Sequence, residues 1–273
     1  VGIPQYRLPR DILNKEIDFV KKLGVEIKTN VRIGKDISFD DLFTQGFQAA
    51  FIAVGAHKDQ KLRVPNEEAP GVVSGVDFLR DIALGKEVNV GARVGIVGGG
   101  NVAMDASRSS LRLGAKEVCI IYRRTRDEIP ASSEEIDAAL HEGIKIEYLV
   151  APVEVILKNG SVSGMKCIRM QLGEPDASGR RRPVPVEGSE FELGLDMIIP
   201  AIGQASDLSF LPADGSVAMT KWGTVIADSK TCATSRKGVY AGGDCVSGPW
   251  IAIGAIAAGK EAARAIDGYL QGK

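Results

Sequence analysis

Cysteine is scarce in this 273-residue sequence, and histidine is scarcer. Cys119, Cys167, Cys232 and Cys245 stand apart with no C-x-x-C or C-x-x-x-x-C spacing, which excludes a local redox dithiol and an iron–sulfur cluster built from this chain alone. His57 and His141 are the only histidines, so no metal site is expected. Cys119 sits in an apolar run and reads as an inert core thiol; Cys245, next to Asp244, reads either that way or as the neighbour of a cofactor. A surplus of positive charge is missing too: 34 Lys and Arg against 35 Asp and Glu give a net charge of −1, which excludes a general nucleic-acid binder. No apolar run approaches the length that spans a bilayer, so no membrane insertion is expected. No signal or transit segment precedes Gly2-Ile3-Pro4, which makes the cytoplasm the expected compartment. The sequence opens on Val1 rather than methionine, and it opens in a loop, as a piece of a longer chain would.

With 44% apolar residues the chain can fill one large core or two ordinary ones. Its most informative stretch is Arg93-Val94-Gly95-Ile96-Val97 running into Gly98-Gly99-Gly100-Asn101-Val102-Ala103. An apolar strand enters a glycine turn, and a helix follows, with Val102, Ala103, Ala106 and Leu111 at helical spacing before Gly114 stops it. The first glycine permits the tight turn, the second lets backbone approach a pyrophosphate, and Ala103 in the third slot packs helix on strand. The phosphates then rest on the helix N-terminus near Asn101 and Val102, where unpaired N–H groups and the helix dipole favour anions.

The next strand, Val118-Cys119-Ile120-Ile121-Tyr122, ends in Arg123-Arg124. A carboxylate at that place grips a free ribose 2′-hydroxyl; two guanidiniums favour a 2′-phosphate instead. At ~1.4 kcal/mol for each charge-assisted contact, the pair implies about a hundredfold preference for NADP(H) over NAD(H).

Around this unit the sequence reads as a helix over 11–23, a strand at Val25-Glu26-Ile27-Lys28, and a buried strand over 47–56 that closes on Gly55-Ala56. A polar stretch over 58–71 is the first domain boundary. Ser132-Ser133-Glu134-Glu135 opens a helix that runs to His141, and 145–149 is a third strand. Asn159-Gly160 turns a hairpin between 153–158 and 162–171. The stretch 173–190, with Arg180-Arg181-Arg182, reads as a polar excursion with a solvated tip. Ala201-Ile202-Gly203 ends another apolar strand, so two such strands bracket one dinucleotide fold, as they would if one domain were inserted in another. Beyond it, 224–227 is a strand, 238–244 is a strand that stops on Gly242-Gly243-Asp244, and a helix starts near Trp250 and runs to 270. Two glycines and an acid opening onto a helix suit a polyhydroxyl chain beside a partly anionic ring, with Asp244 holding ribityl hydroxyls.

In their order these segments resemble the NADPH-dependent, flavin-containing small (beta) subunit of glutamate synthase and the similar half of dihydropyrimidine dehydrogenase. The residues that carry the likeness are Gly2-Ile3-Pro4-Gln5-Tyr6-Arg7-Leu8-Pro9, Ala53-Val54-Gly55-Ala56, Gly98 to Asp105, Tyr122-Arg123-Arg124, Ala201-Ile202-Gly203 and Gly238 to Asp244. The resemblance implies an α/β flavoprotein with two dinucleotide-binding domains, a Rossmann-like NADP(H) domain over 71–203 inserted in an FAD domain made of 1–70 and 204–273. It further implies that Arg7 and a strand around Val31 contact FAD, that Gly243, Asp244, Trp250 and Ile251 line its ribityl chain and ring, and that Ala201-Ile202-Gly203 lies against NADPH. Electrons would pass from NADPH through FAD to a larger catalytic subunit or an iron–sulfur acceptor.

Family members carry a second glycine fingerprint upstream, which cradles the FAD pyrophosphate, and cysteines for iron–sulfur clusters; neither is in this sequence, so the FAD domain is incomplete. Nanomolar flavin binding requires about −12 kcal/mol, of which Asp244 and a helix N-terminus supply only a few, so the chain is expected to purify without stoichiometric FAD. Hydride transfer needs no acid–base side chain, so no catalytic residue is named. Two other readings stay open: a flavin-independent NADP-dependent dehydrogenase, whose Tyr-x-x-x-Lys pair could only be Tyr269 and Lys273, and a nucleotide-binding regulatory subunit that never turns over alone.

Overall fold

The computed structural model describes residues 1–175 and 179–272. In chain order the first elements are α1 (Arg10–Lys22), α2 (Asp41–Thr44), β1 (Ala50–Ile52), β2 (Lys58–Asp59), α3 (Gly75–Ala83), β3 (Arg93–Val97), α4 (Asn101–Arg112) and β4 (Glu117–Tyr122). There follow α5 (Ser133–His141), β5 (Lys145–Tyr148), β6 (Val150–Lys158), β7 (Ser161–Pro175), β8 (Arg181–Gly194), β9 (Met197–Pro200), β10 (Gln204–Ala205), β11 (Val239–Ala241), α6 (Asp244–Ser247) and α7 (Ala252–Leu270). The chain divides into two compact units: Val1–Asp18 with Asp59–Gly203, and Phe19–Lys58 with the chain from Gln204 onward.

The first unit is built on a parallel sheet in the order β5-β4-β3-β9. Its strands are short apolar runs, and alternate side chains go to opposite faces. Val94, Ile96, Val118, Ile120 and Ile199 meet the helices, packing with Phe78 of α3, Ala103 and Met104 of α4, and Ile136 of α5. Val97, Ile121 and Ile198 face the other way and pack against Val155, Met165 and Cys167 of the antiparallel sheet β6-β7-β8 and Leu195 just beyond it. One face is thus roofed by helices and the other by a three-stranded sheet. Asn159 and Gly160, with φ of 55° and 80°, make the expected tight hairpin turn closed by the Lys158–Ser161 pair.

Five readings of the sequence are corrected. Residues 25–28 form no strand, and around Val31 there is only an isolated bridge between Ile33 and Ile37; alternating Val25 and Ile27 stay exposed because no neighbouring strand supplies ladder partners. The strand placed over 47–56 is paired only at Ala50–Ile52, against β11. The strand at 224–227 reduces to isolated bridges from Val225 to Met219 and from Ala227 to Thr234. The excursion over 173–190, apart from its middle, which lies outside the described residues, is largely ladder: Met170 pairs with Pro185, Leu172 with Pro183 and Pro175 with Arg181. An arm exposed on both faces has no apolar alternation to betray it.

The second unit has a smaller centre. Parallel β1 and β11 carry Ile52, Val239 and Ala241 into a cluster with Phe39, Leu208, Val217, Val225 and Cys245.

The first nine residues hold to α4 and α5 by charge. The Tyr6 ring lies under two guanidiniums, Arg112 at 4.2 Å and Arg108 at 4.7 Å from its centroid. Arg108 donates to Glu135 (2.8 Å) and Glu142 (2.8 Å), and Arg112 donates to Glu142 (2.6 Å). Hydrogen bonds from Arg112 and then Arg108 hold the Glu142 carboxyl down at about 2, against an ordinary 4.5. On acidification the unfolded chain takes up this proton first, so the stabilisation is complete above about pH 4.5 and is lost as pH falls towards 2. Glu142→Gln should therefore lower the thermal midpoint clearly at pH 7, with the gap to the parent narrowing below about pH 4.5 and closing only towards pH 2; a gap of constant size across that range contradicts the assignment.

Candidate functional site

In an open parallel sheet a ligand crevice forms at the carboxyl ends of the strands, where the order reverses. Here that place is between β3 and β9, where the chain leaves β3 through Gly98 and leaves β9 through Ala201-Ile202-Gly203. The Ala201 amide donates to the Val97 carbonyl at 2.7 Å, carrying the β9 chain past the start of the Gly98 turn. Gly98 has φ of 140°, and a Cβ on it would lie 2.2 Å from the Ala201 carbonyl oxygen, so no other residue fits. A Cβ on Gly99 would strike the Tyr122 ring at 2.7 Å, whereas above Gly100 nothing lies within 4 Å.

The turn opens directly into α4. Gly100 caps the helix with extended backbone and no side-chain hydrogen bond, so the first-turn N–H groups at Asn101 and Val102 are left to whatever sits above them. Together with the open space over Gly100, this is the geometry that accepts a pyrophosphate. Asn101 is exposed, Val102 half-buried and Ala103 fully buried against the sheet. Across the crevice Ala201 is buried, Ile202 is 41% exposed, and Gly203 has φ of 139° with its carbonyl accepting from the Gln60 amide.

Arg123 and Arg124 follow β4, on the side of the sheet where the adenosine ribose of a bound dinucleotide lies. The structure treats them differently. Arg123 is exposed; Arg124 is 5% exposed, and its Nε donates to the Arg181 carbonyl at 2.8 Å.

The first unit also brings together a cluster that the sequence reading did not assemble. Arg7 donates through Nη1 to both oxygens of Asp105 at 3.0 Å, and its Nε lies 3.3 Å from Glu135. Asp105 is on α4, one turn below the phosphate end, and is 5% exposed. Burial raises its carboxyl above the ordinary 3.8, while Arg7 pulls the other way. The local clue was present: an acid between Met104 and Ala106, on a helical stretch otherwise apolar, must find a partner.

Apart from Arg7, which belongs to the first unit, the flavin-side candidates fall in the second unit. Gly55 has φ of 66°, and its carbonyl accepts from Ser206 Oγ at 2.7 Å. Gly243, with φ of 72°, leads from β11 into the short α6, and a Cβ on Gly242 would press on the Phe51 ring at 2.9 Å. The Trp250 amide donates to Asp244 Oδ1 at 3.2 Å, which leaves Oδ2 for another donor. Trp250 is 69% exposed, Ile251 is also exposed, and Val31 lies in irregular, exposed chain. Cys245 is fully buried beneath them, its thiol directed at the Ile52 and Gly242 carbonyls, which makes it a core thiol. Burial likewise pushes Cys119 up to about 11 and Cys167 to about 12, so neither is a nucleophile. Among the described residues no three His, Cys, Asp or Glu side chains converge as a metal site would require, and no helix is long and apolar enough to cross a membrane. Tyr269 lies on α7; Lys273 is outside the described residues.

Two substitutions test this geometry. Gly98→Ala places a methyl group inside the Ala201 carbonyl and is expected to cost more than about 4 kcal/mol, read by chemical unfolding; a loss below about 1 kcal/mol contradicts the close approach. Arg7→Ala strands the Asp105 carboxylate and should cost about 3 kcal/mol at pH 7. Because the folded state binds the Asp105 proton more tightly than the unfolded chain does, that deficit should shrink as pH falls and be largely recovered in Arg7→Ala/Asp105→Asn.

The model of the family Pyridine nucleotide-disulphide oxidoreductase matches residues 8–259. The chain is 50% identical over 274 residues to the NADP(+)-dependent formate dehydrogenase subunit beta of Moorella thermoacetica, a match that covers 99% of this chain and 38% of that protein. It is 35% identical over 288 residues to the glutamate synthase (NADPH) small chain of Escherichia coli K12, covering 99% of this chain and 60% of that one. The chain therefore spans roughly two to three fifths of the length of these relatives. Among solved structures, FprA from Mycobacterium tuberculosis (His57Gln mutant) superposes with a TM-score of 0.74 at 20% identity, over 99% of this chain and 74% of FprA, a likeness of fold. The parallel sheet with its glycine turn at the reversal of strand order is thus part of a known architecture: this chain belongs to the pyridine nucleotide-disulphide oxidoreductase family, with the fold of a flavoprotein that has two dinucleotide-binding domains.

Proposed function

We propose that this chain is the NADP(H)- and FAD-binding portion of an NADPH-dependent oxidoreductase that passes electrons from NADPH through FAD to a larger partner subunit carrying an iron–sulfur or flavin acceptor, as a glutamate synthase small chain would. The observation that carries the reading is the Gly98 turn at the β3/β9 reversal with a pair of arginines at the end of β4. Relatives named as a beta subunit and a small chain support a partner. The four cysteine thiols, all unpaired, suit a cytoplasmic location.

In this reading residues 71–203 hold NADP(H) and the flanking segments hold FAD. Gly98 and Gly99 bring backbone to the pyrophosphate, and the N–H groups of Gly100, Asn101 and Val102 donate to it. Arg123 and Arg124 select the 2′-phosphate. Ala201, Ile202 and Gly203 would form the opposite wall of the coenzyme site. In the second unit the open Oδ2 of Asp244 accepts from a ribityl hydroxyl, and Gly55, Gly243, Trp250 and Ile251 supply backbone approach and an apolar face. Arg7 and Val31 are the further flavin contacts that the resemblance implies. FAD held by these residues would supply the change from two-electron acceptance, from NADPH, to one-electron delivery. The protein's own part is position and field, and no side chain needs to move a proton.

Residues on the FAD side offer only the ribityl half of a site, so the chain by itself should retain flavin substoichiometrically. Calorimetry should give NADP+ binding about a hundredfold tighter than NAD+, and dye reduction by NADPH should appear only when FAD is added. Equal affinity for the two coenzymes overturns the selectivity. Turnover without flavin would make the chain a self-contained dehydrogenase, and absence of turnover under every condition, a regulatory subunit.

A further inference from the structure

At the end of the first unit opposite the glycine turn, its two sheets part. Arg93, Glu117 and Lys145 are the first residues of β3, β4 and β5. The register, Arg93 beside Glu117 and Cys119 beside Lys145, puts these side chains, with those of Cys119 and Glu147, on the face that looks towards β6-β7-β8. Further along that face Val97 and Ile121 close the gap against the antiparallel sheet. Here the gap stays open as a cavity of about 160 Å³, walled on its far side by Leu193, Gly194 and Leu195. Two glycines shape it: a Cβ on Gly95 would lie 2.5 Å from Leu195 Cδ1, and one on Gly194 would lie 2.5 Å from Arg93 Nη1. Bare backbone at both places lets the leucine and the guanidinium draw in.

The cavity has an apolar floor and a rim that carries both signs of charge. Leu193, Leu195 and Cys119 make the floor; burial, then the nearby Glu147, push the Cys119 thiol up to about 11, so it stays neutral. Two of the rim charges are matched within the protein, Arg93 donating to Asp196 at 2.7 Å and Glu147 lying 3.4 Å from Arg169. Lys145 and Glu117 are exposed, and among the described residues neither is in an ion pair. Cys119 is the register partner of Lys145, so Glu117 lies one strand over and two residues back, with ~8 Å between the two Cα atoms by sheet geometry. That spacing leaves room between them for a group bearing both charges.

We propose that this cavity binds a small zwitterion, an α-amino acid with an aliphatic side chain: its ammonium donates to Glu117, its carboxylate accepts from Lys145, and its side chain rests on Leu193, Leu195 and Cys119. The volume is too small for a nucleotide and suits a ligand of this size. The rim selects by what it repels. A simple anion entering the cavity meets Glu117 and Glu147, and a simple cation meets Lys145 and Arg93, so each would leave one rim charge opposed, whereas a zwitterion answers both. The site is at the amino ends of the strands, away from the glycine turn, and depends on no reading of the coenzyme end.

The experiment is an amide NMR titration of the full chain with L-leucine, and with 4-methylpentanoate and 3-methylbutylamine, which share its side chain and each lack one of its charges. L-Leucine should saturate, with shifts at Glu117, Cys119, Lys145, Leu193 and Leu195, and each single-charge probe should bind about tenfold more weakly. Glu117→Ala and Lys145→Ala should each weaken L-leucine about tenfold at an unchanged thermal midpoint, since both side chains are exposed. No saturation by L-leucine overturns the proposal, as do shifts confined to other parts of the chain, a single-charge probe that binds within twofold of L-leucine, or both variants keeping the parent's affinity within twofold. If a variant's midpoint falls, the single-charge probes, which need only the parent protein, decide the matter.

Discussion

At the carboxyl ends of β3 and β9 two backbones pass so closely that a Cβ on Gly98 would stand 2.2 Å from the Ala201 carbonyl oxygen. The rest of the coenzyme end is arranged around that approach. Because the chain can turn there without a side chain, α4 starts immediately beyond β3, and its uncapped first turn faces the space at the reversal of strand order. The same closeness lets Ala201 bond to Val97, fixing where Ile202 and Gly203 emerge on the far side of the crevice. One omitted carbon thus sets the positions of both walls.

The two faces of the sheet are finished by different means, and the difference matters at the site. Helices α3, α4 and α5 cover one face, and α4 carries both the uncapped first turn beside the glycines and, a turn lower, the buried Asp105 that anchors Arg7. An isolated carboxylate so deep would be costly; paired with Arg7 it becomes a tie between the first nine residues and α4. On the other face the antiparallel sheet can do what a helix cannot. Its strands run past the edge of the core, and β8 brings a backbone carbonyl out to Arg124.

How much of this was legible depended on how local each cause was. The β3–α4–β4 unit could be read because strand, turn, helix and basic tip are consecutive, each with its own cue. The Asn159-Gly160 turn was equally self-contained. Residues 25–28 and 224–227 have strand composition, but a strand exists only when a neighbour offers a ladder, and composition does not say whether one does. The β7–β8 arm failed in the opposite sense: its polar residues concealed a real ladder. The Arg7–Asp105 pair joins residues 98 apart and leaves no periodic trace, only an acid in an apolar helix face. The unequal burial of Arg123 and Arg124 was invisible because it depends on a carbonyl 57 residues downstream.

The second unit poses the converse problem, with glycines and an acid in suggestive places but a slight frame to hold them. β1 and β11 are three residues each, and α7 buries only Ala262 while Ile253 and Ile256 stay exposed. A core of that size leaves a small margin against chain entropy. Any ligand that binds only the ordered form adds its own binding free energy to that margin, and the dependence is reciprocal: the weaker the frame, the more of the ligand's affinity is consumed in ordering it. If the Gly243-Asp244 segment holds flavin as proposed, retention and local order there are one equilibrium viewed from two sides. The glycine turn of the first unit escapes that coupling, since the buried strands β3, β4 and β9 hold it in place without a ligand.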